Sequence, residues 1–379
     1  MTEAKFYKKL DKQIVTCQLC CHYCRIKSGA VGLCGARQNI DGTLYSLVYG
    51  RPAAVNVDPI EKKPLFHFQP GSTTFSLGTL GCNFRCSNCQ NWKISQVGIT
   101  PLTPFYKGGN TIPLEKTPET LGVLGTPSVQ KVVKGKGTPV GMNNRSPLQL
   151  VKPQKIIEQA LASGGQSIAY TYNEPTIFAE YALDIMKLAQ QHNLKNVWVS
   201  NGYMSRFCLE AILPCLDATN IDLKSMDDKF YQKNCGAKLK PVLKNLLKIK
   251  QAGAHLEITT LIIPGLSDDP AMLKKLAEFI ANELGDNVPW HVSRFSPNIS
   301  WKLKDTPVTA EEAVFQAHLI GKQAGLKYVY AGNVYNTDKE NTYCPNCGQL
   351  AIKRLGYDIT RFDKDGRCAK CGESLNLIA

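Results

Sequence analysis

The spacing of apolar positions from residue 75 onward predicts a repeated strand–helix unit. Short alternating or β-rich runs indicate strands at 75–80, 166–171, 196–199, 218–223, 255–263, 288–294 and 327–330. The stretches between them repeat apolar residues at helical spacing, at 153–162, 177–192, 204–213, 241–252, 270–284 and 310–324. Strands that alternate with helices form a parallel sheet with right-handed crossovers. We therefore predict an α/β fold, built as a partial or full βα barrel.

Polar side chains follow several of the predicted strands. At the ends of the second, third, fourth and sixth strands these are Asn173, Glu174, Ser200, Asn201, Asp222, His291 and Arg294. Barrel enzymes carry their chemistry on loops at the carboxyl ends of the strands. One polar residue at a strand end is as often a loop anchor as a ligand, so it is the convergence of the set that indicates a site.

The chain of 379 residues contains 15 cysteines, and most of them are clustered. A clustered, odd-numbered set behind an N-terminus without an apolar signal segment favours metal ligands in a reducing cytoplasm over disulfides. No apolar stretch approaches the length of a membrane span, so we expect no membrane association. The cysteines outside the clusters, Cys208, Cys215 and Cys235, are predicted to be small buried residues.

The C-terminal cluster consists of two CxxC turns, CPNC and CAKC, each followed by glycine. Two such turns bring four thiolates together as a tetrahedral site. We predict that Cys344, Cys347, Cys368 and Cys371 bind zinc or a rubredoxin-like iron. A structural ion that folds a short tail, at 336–379, is the favoured interpretation over a recognition module.

The central cluster, GCNFRCSNCQN, offers only three cysteines, Cys82, Cys86 and Cys89. Three ligands leave one metal position open, as catalytic sites do. The motif, placed after the first predicted strand, resembles that of radical S-adenosylmethionine (SAM) enzymes. The resemblance implies a [4Fe-4S] cluster whose free iron binds SAM, and reductive cleavage to a 5′-deoxyadenosyl radical. It also implies contacts to SAM from the strand ends, by Asn173, Glu174, Ser200, Asn201, Asp222 and His291.

Motifs along the whole chain resemble one subfamily, the AmmeMemoRadiSam system radical SAM proteins, which are related to pyruvate formate-lyase activases. The shared patterns are an N-terminal C-x2-C-x3-C-x9-C, then GAVGLCGARQNIDGTLY, GCNFRCSNCQN, YTYNEPT, NGY, DLK, PWHVSRF and the CxxC tail. The resemblance implies a partial (βα)6-type TIM barrel at 71–335, between small Cys-rich metal-binding modules at 1–70 and 336–379. Two residues depart from the pattern: Asn88 replaces an aromatic that touches adenine, and Cys21 replaces a proline.

The N-terminal motif assigns a third metal site to Cys17, Cys20, Cys24 and Cys34. Zinc and an auxiliary iron–sulfur cluster remain alternatives, because their ligand sets overlap. We treat Cys21 as a bystander. His22 and His67 are expected to be surface or supporting residues rather than ligands.

The resemblance also implies partners. A flavodoxin- or ferredoxin-type protein would donate the electron, and a protein is a candidate substrate because the activases are relatives. Memo-like and AMMECR-like proteins are implied by genomic association alone. Two alternatives stay open: an activase that installs a glycyl radical, and an RNA-modifying or non-catalytic metal-binding protein.

The formal net charge of +14 has two main sources. Residues 98–152 hold seven basic and two acidic side chains among many prolines and glycines, which is typical of a low-complexity insertion. Residues 229–250 hold seven lysines and no acid, partly on the polar face of a predicted helix. No basic motif with interleaved aromatics is found, so we do not expect nucleic acid as a partner.

Overall fold

The computed structural model describes residues 1–96, 150–335 and 337–378. The strands in these ranges are β1 (Thr2–Glu3), β2 (Tyr7–Lys9), β3 (Val15–Cys17), β4 (Arg25–Ile26), β5 (Arg37–Ile40), β6 (Thr43–Ser46), β7 (Ala54–Pro59), β8 (Thr73–Gly78), β9 (Ser167–Tyr170), β10 (Lys195–Ser200), β11 (Ala218–Asp222), β12 (His255–Ile262), β13 (Trp290–Arg294), β14 (Val329–Gly332), β15 (Thr342–Tyr343), β16 (Leu350–Leu355) and β17 (Asp358–Arg361).

One sheet organises the described residues, in the order β14-β13-β12-β11-β10-β9-β8-β7. From β8 to β14 each strand pairs in parallel with the next along the chain, whereas β7 pairs with β8 antiparallel. The edge strands β7 and β14 are not paired with each other in the described ranges, so the sheet is open. The predicted α/β fold with a parallel sheet is confirmed, and all seven predicted strands are present. The edge strand β7 was not predicted.

Helices connect the parallel strands. They are α1 (Trp92–Ser95), α2 (Pro153–Ala162), α3 (Ala179–Gln191), α4 (Arg206–Ile212), α5 (Asp228–Phe230), α6 (Leu239–Gln251), α7 (Pro270–Phe279) and α8 (Glu311–Gln323). The helix α7 begins where Asp269 accepts from the backbone N–H of Met272 at 2.7 Å and Pro270 occupies the first turn. A π-helical turn, Ile280–Leu284, extends it. All six predicted helices are therefore found, with ends shifted by a few residues.

The core lies between the sheet and these helices. Trp290 of β13 is fully buried, and its indole N–H donates to the Thr260 hydroxyl at 2.9 Å. A Cβ atom at Gly321 of α8 would come within 2.8 Å of the Trp290 ring. Glycine therefore lets α8 pack directly on the ring, and a larger residue would force the helix away.

The N-terminal part forms two small antiparallel sheets, β1-β6-β5 and β2-β3-β4. Its main polar link to the barrel is a fully buried ion pair between Arg37 and Glu180 of α3. The predicted low-complexity insertion lies outside the described residues except for its last three. Of these, Val151 is buried, and its N–H donates to the Gly50 carbonyl at 2.7 Å.

The C-terminal part, with sheet β15-β16-β17, attaches to the barrel through a buried chain of hydrogen bonds. Arg354 donates to the Thr342 hydroxyl at 2.8 Å, which lies 2.8 Å from the Tyr330 hydroxyl, which lies 2.6 Å from Nε2 of His67. Nδ1 of His67 lies 3.3 Å from the Asn376 carbonyl. Neutral His67 satisfies this pattern when Nδ1 donates and Nε2 accepts. His67 is thus a buried residue that joins the C-terminal part to the barrel, which agrees with its expected supporting role.

Acid should weaken this attachment. Burial lowers the pKa of His67 to about 3, below the ordinary value of 6.5. Between these two values the unfolded chain binds a proton that the folded chain does not, so stability falls as pH decreases through 6.5. From pH 6.5 to 5 the loss should approach about 2 kcal/mol. We expect the melting temperature of His67→Gln to fall less over this range than that of the unaltered protein, measured on identically metal-loaded samples. Parallel curves would contradict this linkage.

Candidate functional site

The Cys82–Cys89 loop starts at the carboxyl end of β8 and is held from one side by the end of β9. The Asn173 side chain accepts from the N–H of Thr79 at 3.1 Å and donates to the carbonyl of Gly81 at 2.8 Å. Asn91 donates to the Tyr172 carbonyl at 2.6 Å. Asn173 therefore fixes the backbone of residues 79–81, which lead into Cys82. It was predicted to contact SAM, and the structure gives it a second role.

A π-helical turn, Tyr231–Cys235, holds the loop from the other side. The N–H of Arg85 donates to the Cys235 carbonyl at 2.8 Å, and that of Ser87 to the Asn234 carbonyl at 3.0 Å. The Asn234 side chain donates to Asn88 at 2.9 Å. Asn88, which departs from the family pattern, thus contributes to the loop's shape. Sequence reasoning missed this turn, because nothing in its composition marks it as a neighbour of the motif.

The three thiols are sheltered: Cys82 and Cys86 are buried, and Cys89 is half-buried. The Phe84 N–H lies 3.3 Å from the sulfur of Cys82, as N–H groups do around metal-bound thiolates. A hydrogen bond with Cys235 and burial raise the pKa of Cys86. Burial also raises the pKa of Cys89 to about 11. The free thiols therefore keep their protons, and metal loading would release them. Cys235 was predicted to be a small buried residue, and it is buried, but it lies beside a motif thiol.

Glu174, at the end of β9, is a buried carboxylate that accepts several hydrogen bonds. Its carboxylate accepts from the hydroxyls of Thr176 at 2.5 Å and Ser200 at 2.8 Å, and from the Asn201 N–H at 2.8 Å. The Asn201 side chain in turn donates to Asn83 at 2.8 Å. Burial raises the pKa of Glu174, and the hydrogen bonds, the first of them from Asn201, oppose that rise. The structure thus brings Glu174, Ser200 and Asn201 together next to Cys82.

Asp222 ends β11 on the same edge of the sheet. Lys224 donates to its carboxylate at 2.7 Å. Burial alone would lower the pKa of Lys224, but Asp222 and the nearby thiols of Cys86 and Cys235 raise it well above its usual value. A fixed positive charge therefore lies close to Cys86. The ammonium of Lys224 is a feature of this site that the sequence analysis did not single out.

His291 lies elsewhere, and its expected position at a strand end is corrected. It is the second residue of β13, is buried, and lies 2.7 Å from Glu257, near the amino end of β12. Glu257 also lies 2.9 Å from His255 and accepts from the N–H groups of Phe66 and His67. The predicted run and the strand both end at Arg294, so His291 lies three residues before the carboxyl end and was wrongly grouped with the residues that close the strand. This placement does not support a contact between His291 and SAM. Arg294, which does end β13, donates to Glu311 at 3.1 Å.

The N-terminal cysteines Cys17, Cys20, Cys24 and Cys34 line one cavity between the small sheets and the barrel. Cys21 points away from it, with its thiol 3.0 Å from the Met204 carbonyl, in agreement with its treatment as a bystander. The His22 ring lies 2.8 Å from the Asn83 carbonyl, which links this part of the chain to the residue after Cys82.

The C-terminal cysteines are drawn together as a single-ion site. The sulfurs of Cys344 and Cys371, and those of Cys347 and Cys368, lie 3.6 Å apart. All four lie within 4.8 Å of one another. Tetrahedral zinc with bonds of about 2.3 Å separates its sulfurs by about 3.8 Å, so the geometry fits one tetrahedral ion. Two N–H groups, that of Cys371 first, lower the pKa of Cys368 to about 6.

Comparison with known proteins identifies relatives. A family model described as the radical SAM superfamily matches residues 77–280. An uncharacterized Methanocaldococcus jannaschii protein is 38% identical over the full length of both chains. The pyruvate formate-lyase-activating enzyme of Clostridium pasteurianum is 26% identical, over 40% of this chain and 66% of that one. A solved domain of such an enzyme from Bacteroides vulgatus aligns with 22% identity over 45% of this chain and 100% of its own, at a TM-score of 0.39.

None of the helices in the described ranges has the length and apolar character that crossing a bilayer requires.

Removing one ligand of the C-terminal ion should destabilise the tail without disturbing the central cysteines. We expect Cys344→Ala to lose one metal ion per chain and to lower the melting temperature, because a buried thiolate ligand supports a module with little core of its own. The content of acid-labile sulfide should be unchanged, because Cys82, Cys86 and Cys89 are unaltered. Cys215→Ala, which removes a thiol outside every cluster, is the matched control. Equal metal content and melting temperature in the two variants would argue against the single-ion site.

Proposed function

This chain belongs to the radical SAM superfamily, and from that premise we propose that Cys82, Cys86 and Cys89 hold a [4Fe-4S] cluster at which SAM is cleaved reductively to a 5′-deoxyadenosyl radical that abstracts hydrogen from a substrate. The observation that supports this most directly is the arrangement of the three thiols. Two of them are buried and one is half-buried, and all three lie on one loop that follows the carboxyl end of β8. Three thiolates on one such loop can each bind a different iron of a cluster and leave the fourth iron free.

The chain's own groups would position SAM beside this cluster. Glu174 fixes Ser200 and the backbone of Asn201 at the carboxyl edge, next to Cys82. Asn173 fixes the residues just before Cys82. Asp222 and Lys224 place an ion pair beside Cys86, where a charged cosubstrate would be oriented. We propose Asn173, Glu174, Ser200, Asn201 and Asp222 as the residues that shape the SAM site.

Sequence similarity and the flanking cysteine motifs suggest the substrate and the partners of the proposed radical. The match to an activating enzyme supports a protein as the substrate, and it supports a glycyl-radical activase as the second candidate. A flavodoxin- or ferredoxin-type protein would supply the single electron. We also propose membership of the AmmeMemoRadiSam subfamily, on the N-terminal and C-terminal cysteine motifs. Association with Memo-like and AMMECR-like proteins follows from that membership alone.

Anaerobic reconstitution tests the proposed reaction. The loaded protein, given dithionite and SAM, should release 5′-deoxyadenosine, and Cys86→Ala should release none because one iron loses its thiolate. Cys208→Ala, which removes a buried thiol outside the clusters, should retain the activity. The product is measured by chromatography with mass detection. A fully loaded protein that forms no 5′-deoxyadenosine would exclude the radical SAM reaction.

Glu174→Gln tests the SAM site separately. Four groups donate to this carboxylate: the N–H and hydroxyl of Thr176, the hydroxyl of Ser200 and the N–H of Asn201. The amide N–H₂ of glutamine would face at least one of these donors, so the backbone at Ser200 and Asn201 should shift. We expect SAM to bind about 10-fold more weakly, the equivalent of about one hydrogen bond to a charged group, with iron content unchanged. Glu158→Gln, on the exposed face of α2, is the control and should bind SAM normally. Binding is measured by calorimetry or by the spectral change on adding SAM. Equal affinities would remove Glu174 from the site.

A further inference from the structure

The four N-terminal cysteines of the predicted metal site lie around a cavity. Cys17 ends β3, Cys20 and Cys24 lie in the turn to β4, and Cys34 precedes β5. All four line the same cavity. Four thiols that face one space are the ligand set of a metal centre.

The N-terminal thiols are spaced more widely than the C-terminal ones. Among the described residues, the only group of three or more metal-binding side chains with all ligand atoms within 4.8 Å is the C-terminal one. A single tetrahedral ion would draw its four sulfurs to about 3.8 Å from one another. The N-terminal sulfurs are spread wider around their cavity. Wider spacing is what a cluster of several irons requires, because each thiolate binds a different iron.

Two unsatisfied polar side chains line the same cavity. Arg37 is fully buried and pairs with Glu180 through Nη2, but its Nε and Nη1 have no hydrogen-bond partner. Nδ2 of Asn83 is likewise buried without a partner. Buried N–H groups without acceptors are costly and therefore rare. Sulfide and thiolate sulfurs of an anionic cluster would accept from both side chains, and such hydrogen bonds set a cluster's reduction potential.

The cavity also adjoins the central cysteine loop. Gly81 has a φ of +94°, and a Cβ there would overlap the carbonyl oxygen of Cys34. Asn83, which follows Cys82, forms part of the cavity wall. Gly81 and Asn83, the two neighbours of Cys82, therefore both contact the N-terminal cysteine site.

We propose that Cys17, Cys20, Cys24 and Cys34 hold a second iron–sulfur cluster, with Arg37 donating hydrogen bonds to its sulfurs. The cluster would lie beside the one at Cys82, on the other side of residues 81–83. Arg37 acts as a positioning residue that sets the potential of this cluster. The proposal does not depend on the reaction carried out at the central cysteines.

A variant without the central ligands isolates the second site. The combined substitution Cys82→Ala, Cys86→Ala and Cys89→Ala should retain about four irons and four acid-labile sulfides per chain after anaerobic reconstitution. Dithionite should give an electron paramagnetic resonance signal that SAM does not alter. The content of acid-labile sulfide decides the result, because a single iron bound by the C-terminal cysteines would contain no sulfide. A folded variant without sulfide, with zinc at the N-terminal site instead, would overturn the proposal.

Single substitutions in the otherwise unaltered chain cover the case in which the combined variant does not fold. Cys20→Ala should lose about half of the sulfide and keep the SAM-responsive signal of the central cluster. Cys21→Ala is the matched control, because its thiol does not line the cavity, and it should keep all of the sulfide. Unchanged sulfide in Cys20→Ala, or equal loss in both variants, would overturn the ligand assignment.

Arg37→Lys tests the hydrogen bonds to the cluster. Lysine keeps the charge beside Glu180 but lacks the additional N–H groups that now have no partner. We expect the second cluster to remain bound and its reduction potential to become more negative, as measured by redox titration of its resonance signal. If Arg37 has only a structural role, the substitution would lower the melting temperature and leave the reduction potential of the cluster unchanged. That result would contradict the proposed contact.

Discussion

The close approach of two backbones at Gly81 governs how the cysteine sites are built. The carbonyl of Cys34 occupies the space where a side chain of residue 81 would lie, and the positive φ of Gly81 turns the chain into the Cys82 loop. The same loop is fixed by Asn173 from the barrel and by the turn at Asn234. Segments that are distant in sequence thus hold it in one shape before any metal binds. A preformed loop reduces the conformational entropy that metal binding must overcome.

Buried charges take part in the same construction, and each has defined partners. Arg37 joins the N-terminal sheets to α3 through Glu180. Glu174 accepts hydrogen bonds from two loops, and Glu257 lies between two histidines. A carboxylate buried without such partners would be strongly destabilising. Because the partners come from separate elements, each carboxylate also specifies how those elements pack. Arg37 is paired only in part, because its Nε and Nη1 have no acceptor among the described residues.

The sequence predicted the barrel well because its information is periodic and local. Every predicted strand and helix is present, although the edge strand β7 was not predicted, and Asn173, Glu174, Ser200, Asn201 and Asp222 lie at the carboxyl edge where the strand pattern placed them. His291 was misplaced because the motif around it was assigned as a whole to the end of the sixth strand, although His291 lies three residues before that end. The turn at Asn234 and Cys235 could not be predicted either. It lies about 150 residues from the motif that it supports, and only tertiary packing brings the two together.

The cysteine sites show the limit of spacing as a guide to metal chemistry. CxxC pairs occur in both the N-terminal and C-terminal motifs, and thiolate ligands alone do not separate zinc from iron–sulfur centres. The difference lies in what the backbone does between the pairs. In the C-terminal tail the two turns face each other across β16 and β17, and the sulfurs converge to 3.6 Å. In the N-terminal part the ligands come from a strand end, a turn and a loop that packs on Gly81, and these supports keep the thiols around a cavity. The number of metal ions that we propose for each site therefore follows from how the fold places the thiols, and not from the ligand spacing alone.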